Sequence, residues 1–160
     1  MNNEASLRTQ LAKLLDWKEA HAGFDKAVDG IPPAQRGVVP GGLPYSIWQL
    51  VEHLRIAQND ILEFCVNTTY KEKHWPDDYW PESASPKTAA EWDESIAGYR
   101  RDRDRLKQLA GDLSVDLFAK IPHGSAQTYL RELLLVADHA SYHVGQIVIV
   151  RRALGIWGGS

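Results

Sequence analysis

Apolar residues recur at three- and four-residue spacing in four segments of the chain, and no segment shows a sustained two-residue alternation bounded by turns. That pattern predicts an all-α protein. The first segment runs from about Ser6 to Asp29, with Leu7, Leu14, Trp17, His21, Phe24 and Val28 on one stripe, and stops at Gly30 ahead of Pro32 and Pro33. The second opens with Ser46-Ile47-Trp48-Gln49, whose Ser-x-x-Gln order predicts a capping box. It turns Ile47, Leu50, Val51, Leu54, Ile61, Leu62 and Cys65 inward. The third starts between Ser85 and Thr88, where Thr88 and Glu91 have the spacing of a second box, presents Trp92, Ile96, Tyr99 and Leu106, and ends at Gly111. The fourth begins between Ser125 and Thr128, packs Tyr129, Leu133, Val136, Ala140, Val144 and Ile147, and stops at Gly155. Arg151 and Arg152 fall in its last turn, where cations oppose the helix dipole.

Four amphipathic helices of about 20 to 28 residues predict a helix bundle, and a chain of 160 residues is the length of one domain, residues 1–160. The connections over 30–45, 67–85 and 111–125 exceed the two to eight residues, roughly, that join bundle helices. Loops of that length are functional or packed on the core. The middle one concentrates Tyr70, His74, Trp75, Tyr79 and Trp80, so the stretch from Trp75 to Trp80 is expected to fold over the bundle and restrict access to it.

Composition narrows the setting. Hydrophobic residues at 44% and charged residues at 24% suit a folded core rather than a disordered chain. A single cysteine, Cys65, excludes an intramolecular disulfide and a cysteine-based zinc cluster, and fits a reducing, cytoplasmic location. The first residues lack the basic-then-apolar order of a secretory leader, and no run approaches the roughly 20 apolar residues of a membrane span, so no membrane association is expected. A net charge of -3 offers no general attraction to nucleic acid. The run from Tyr99 to Arg105 is basic but interleaved with acids, the pattern of a solvated face laced with ion pairs. Arg103 is the exception, since it shares the stripe of Trp92, Ile96, Tyr99 and Leu106. It is expected to anchor a loop carboxylate or an anionic substrate group.

The candidate chemistry lies in Asp138-His139-Ala140-Ser141-Tyr142-His143-Val144-Gly145-Gln146. His139 and His143 are one helical turn apart, within or beside the apolar sector, with Glu132 and Gln146 along the same edge. Two adjacent buried imidazoles would repel each other if protonated, whereas a divalent ion satisfies both as neutral ligands. A hydrogen-bonded core pair has the same spacing and remains the alternative at this point. A zinc-protease reading fails because Ala140 stands where that motif needs glutamate. His53, on the flank of the second helix, is the best-placed third ligand. His21 reads as a core histidine, and His74 and His123 as loop residues near the surface.

Together with Tyr45-Ser46-Ile47-Trp48-Gln49-Leu50-Val51-Glu52-His53, the Asp138 to Gln146 stretch resembles the DinB-like superfamily, which includes YfiT-type proteins, bacillithiol transferases and mycothiol-dependent maleylpyruvate isomerases. The resemblance runs over nearly the whole chain, through the WPDDYWP loop, the IPHG turn and the C-terminal RRALGIW. It implies a four-helix bundle in which His53, His139 and His143 hold one divalent metal ion, zinc or nickel first, since imidazole also suits copper and iron. Three neutral ligands leave coordination positions open, and the ion would lower the pKa of a thiol or water bound there. The implied activity is metal-dependent chemistry on a small molecule, either thiol S-transfer to an electrophile or hydrolysis. A non-catalytic metal- or ligand-binding module is the competing class. A low-molecular-weight thiol is the expected partner, with Arg36, Arg55 or Arg103 as candidate contacts to it, and the family's habit of pairing bundle faces implies a homodimer.

Overall fold

The computed structural model describes residues 3–158, and these are all-helical apart from loops and one isolated bridge between Lys120 and Thr128. The helices are α1 (Asn3–Leu14), α2 (Phe24–Val28), α3 (Ile47–Val66), α4 (Ala89–Gly111) and α5 (Tyr129–Ala153). Local chemistry sets the ends of the three long ones. Ser46 closes the capping box of α3: its hydroxyl accepts from Gln49 N at 3.1 Å, and its own N–H donates to the Gln49 side chain at 3.0 Å. At α4 the box is displaced. Thr88 accepts from Glu91 N, but the Glu91 carboxylate turns back to Lys87 N, one residue before the cap. Helix α5 ends in a Schellman arrangement, in which Gly155 at φ 69° lets Ile156 N reach Arg151 O at 2.9 Å.

The first predicted helix is two helices. The chain leaves α1 after Leu14 and re-enters helix only at Phe24, because tertiary ion pairs outweigh the local pattern. The Arg103 guanidinium, buried on α4, lies 3.4 Å from Asp16 and 3.0 Å from Asp25. Nine residues of continuous helix would point those carboxylates about 180° apart and separate them by about 13.5 Å. Breaking the helix brings both to one cation and lets Phe24 stack on Tyr99 at 3.9 Å between ring centroids. His21 is therefore not a core histidine: it is exposed in the connection, with Nδ1 beside the carbonyl of Ala22.

Helix α3 packs against both α4 and α5, while α1 lies on α4 and α2 on α5. One buried cluster gathers Phe24, Trp48, Leu50, Tyr99 and Ile147, and a second gathers Leu11, Leu62, Leu106 and Leu133. Two buried arginines tie helix ends to the bundle. Arg8 donates to Ala110 O in the last turn of α4 and to Asp112 O and Val115 O beyond its end. Arg151, expected to sit over the end of its own helix, donates instead to Lys26 O and Ala27 O of α2 and to Ile156 O. The loop over 111–125 packs on the core through Leu117 and Ile121. By length and composition α5 could cross a bilayer. In the fold it is the helix that buries Leu133, Val136, His143 and Ile147 inside the bundle.

Candidate metal centre

The structure brings together the three histidines the sequence singles out. His53 comes from the middle of α3, and His139 and His143 come from successive turns of α5, the helix that faces it. Nε2 of His53 lies 3.1 Å from Nε2 of His139 and 3.1 Å from Nε2 of His143. His53 is only 1% exposed and His143 8%, while His139 is partly open.

Which ring nitrogens carry protons follows from what the outer nitrogens touch. His53 Nδ1 is 2.8 Å from the backbone carbonyl of Tyr79. A carbonyl only accepts, so Nδ1 donates and Nε2 of a neutral ring is a bare lone pair. His143 Nδ1 is 2.6 Å from Gln146 Oε1, which fixes the same tautomer. Two lone pairs thus face each other at 3.1 Å, an arrangement that is repulsive unless a cation lies between them. Two nitrogens about 2.0–2.1 Å from a tetrahedral zinc stand about 3.3 Å apart, close to the separation found. The donor set therefore fits a divalent ion, and the three residues could hold one.

Electrostatics act in the same direction. Burial pushes His53 down to about 4, the bond to the Tyr79 carbonyl opposes this, and His143 adds to the depression. Burial, then the neighbouring His143 and His53, pushes His139 down to about 4 as well. Burial also lowers His143, against the opposing bond to Gln146. All three are kept in the neutral, ligating form.

The loop over 67–85 supplies one wall of the site. Trp80 stacks on His53 with ring centroids 3.8 Å apart, and Tyr79 donates its hydroxyl to Asp60 at 2.6 Å. Trp75 of the same loop is 65% exposed, so within the stretch from Trp75 to Trp80 the packing on the bundle is carried by Tyr79 and Trp80. Beside the triad a cleft of about 730 Å³ runs between α3, α5 and this loop, and His139 forms part of its wall with Asp60, Tyr70, Tyr79 and Glu132. His139 is the histidine shared by the triad and the cleft.

Other residues weighed from the sequence fall elsewhere. Arg36 lies over Trp92 at 4.6 Å, Arg55 pairs with Glu52 at 2.5 Å, and Arg103 is held by Asp16 and Asp25. None of the three lines the cleft. Asp138 is exposed, and the groups that orient imidazoles are the Tyr79 carbonyl and Gln146. His74 is exposed beside Asp77, whereas His123 lies at the cleft, edge-on to Phe64 and stacked with Tyr70. Cys65 is buried, and burial followed by the charge of Glu132 pushes its thiol up to about 12, which removes it as a nucleophile.

Sequence reasoning passed over Asp60, and it placed Tyr79 and Trp80 in a covering loop without assigning them a contact with His53. Asp60 follows His53 by seven residues, two helical turns on one face, and that spacing was a usable signal.

Residues 16–147 match the family model of the DinB superfamily. No curated protein and no solved structure matches the chain significantly.

Proposed function

Because the chain belongs to the DinB superfamily and converges three neutral imidazoles on one point beside a cleft, we propose that it is a divalent-metal-dependent enzyme acting on a small molecule, with thiol S-transfer as its reaction. The observation that carries this reading is the pair of Nε2 lone pairs facing each other at 3.1 Å, with their protons committed to Tyr79 O and Gln146 Oε1. A divalent ion held by His53, His139 and His143 supplies Lewis acidity, which favours the ionised form of a thiol at neutral pH.

In the reaction a thiol and an electrophilic carbon compound give a thioether: the sulfur–carbon bond forms, the bond from carbon to the leaving group breaks, and the thiol proton passes to solvent. The chain's own part is positioning. His139 presents the triad to the cleft, Trp80 excludes water from one face of His53, and the walls of the cleft orient the reactants. Among the described residues the site has no accessible cysteine, since Cys65 is buried, and no glutamate base at Ala140 between the two α5 histidines, which favours a nucleophile brought in as substrate. Hydrolysis of a small molecule is the second reading, favoured by the carboxylates of Asp60 and Glu132 in the same cleft.

The test is conjugation of a model haloalkane with a panel of cellular thiols, using protein loaded separately with zinc and nickel. Thioether formation that disappears in His143→Ala supports the transferase. Release of acid or alcohol from ester and amide substrates with no thiol requirement supports the hydrolase, and neither activity leaves a binding module.

A further inference from the structure

The cleft beside the triad has a polarity of its own. Asp60 stands seven residues after His53 on α3, and Glu132 stands seven before His139 on α5. Both carboxylates therefore lie two turns, roughly 10.5 Å, from the ligand on their own helix, and both line the cleft. Glu72 from the loop adds a third. Among the described residues of this wall the basic groups are His139 of the triad, His123, stacked with Tyr70 at 5.9 Å, and Arg131, whose guanidinium is engaged by Glu132 at 2.6 Å.

The tyrosines reinforce that bias. Tyr70 and Tyr79 donate their hydroxyl hydrogens to Asp60 at 3.1 and 2.6 Å, so what their oxygens offer the cleft is lone pairs. Asp60 Oδ1 receives only the longer contact from Tyr70, which it shares with Oδ2, and it keeps capacity to accept. Aromatic faces complete the wall. Tyr70 packs edge-on to Phe64 at 5.2 Å, and Trp75 lies 5.2 Å from Tyr79. Acceptors and π faces together select a hydrogen-bond donor that carries positive charge. With a divalent ion at the triad, the cleft is cationic at one end and anionic at the other.

We propose that this cleft binds a small molecule carrying a protonated amine at the end remote from the histidines, the ammonium lying among Asp60, Glu72 and the Tyr70 ring. The orientation rests on the reading of the triad as a metal centre that takes a thiol; the preference for an amine rests on the cleft alone. Anionic thiols of similar size are disfavoured by Asp60 and Glu72, the carboxylates that Arg131 does not engage.

Calorimetric titration of zinc-loaded protein with 6-aminohexane-1-thiol, 6-mercaptohexan-1-ol and 6-mercaptohexanoate separates these points. The expected order is amine, alcohol, carboxylate, with about tenfold or more between amine and alcohol. Asp60→Asn should bring amine and alcohol to within about threefold, and Glu72→Gln, an exposed position that leaves the core untouched, should narrow the gap partway. On metal-free protein, hexylamine should still bind more tightly than hexanol. If that preference holds while the thiols bind no better than hexylamine, the amine site stands and the thiol reading falls. A carboxylate that binds as tightly as the amine, or an amine preference unchanged in both variants, overturns the proposal.

Discussion

Trp80 lies flat against His53, their ring centroids 3.8 Å apart and their planes 3° from parallel. The preceding residue holds the same imidazole through its backbone, since the Tyr79 carbonyl accepts from His53 Nδ1 at 2.8 Å. Two consecutive loop residues thus fix both the plane and the tautomer of one triad histidine, and connect the loop that the sequence expected to cover the bundle directly to the candidate metal centre.

Trp80→Ala should weaken zinc affinity about 10- to 100-fold, the range for loss of a group that orients a ligand. Trp80→Phe, which keeps an aromatic face, should recover most of it. Competition against a chromophoric chelator reads the affinity, and far-ultraviolet circular dichroism checks that the helices persist. Equal affinity in wild type and Trp80→Ala would show that the stack does not orient the ligand.

The lowered histidines give the metal-free protein a defined pH response. His53 and His139 titrate near 4 in the folded chain but near 6.5 when unfolded. Between those values the unfolded state binds more protons, so stability falls as pH falls from about 6.5 toward 4, by up to about 1.4 kcal/mol per pH unit for each histidine. Above about 6.5 the contribution is fully present. Urea unfolding of metal-free protein at pH 7.5, 6.0 and 5.0 checks this, and His53→Ala should flatten the profile. In the folded chain these two imidazoles stay neutral through pH 5, so zinc should be retained at acidities that release it from exposed histidine pairs.

Arg103 is the clasp between α4 and the connection from α1 to α2. Removing it leaves Asp25 to Arg100 and Asp16 to Lys107 and Lys18, so Arg103→Ala should cost about 1 kcal/mol of stability, from the lost charge-assisted hydrogen bond and the lost packing of a buried side chain. Zinc stoichiometry should be unchanged, because the clasp does not touch the triad. Urea midpoints together with metal analysis separate the two roles, and loss of metal with unaltered stability would reverse the assignment.

How far the sequence carried the fold depended on whether a signal was local. The Ser46 box, the Gly111 and Gly155 stops and the apolar faces of α3, α4 and α5 are written in neighbouring residues, and the structure shows each. The His139–His143 spacing and the placement of His53 opposite them were legible for the same reason. The break between Leu14 and Phe24 was not, because its cause is a guanidinium nearly 80 positions away, and the apolar stripe runs on through the break. Tyr79 was invisible in its main role for a different reason: a backbone oxygen has no residue identity to read. Asp60 looks in sequence like any acid on a helix flank. Its meaning comes from the two tyrosines that the loop delivers to it.

Gln146 is the position where a small change best tests the metal centre. It lies one turn after His143 and accepts from Nδ1 at 2.6 Å, which leaves Nε2 free of a proton and facing His53. Gln146→Leu removes the acceptor while keeping similar bulk. His143 Nδ1 then loses its partner, and the ring becomes free to take the other tautomer, with a proton on Nε2 that can bridge to the bare lone pair of His53. That arrangement satisfies the metal-free protein and competes with metal. Zinc affinity should fall about tenfold, while the stability of the metal-free protein should be unchanged or slightly raised, since a repulsive contact becomes a hydrogen bond. Gln146→Glu, an acceptor with full negative charge, should restore zinc affinity to at least the wild-type level. Chelator competition and urea unfolding on the three proteins read both effects, and a Gln146→Leu protein that binds zinc as tightly as wild type would show that the tautomer of His143 is set elsewhere.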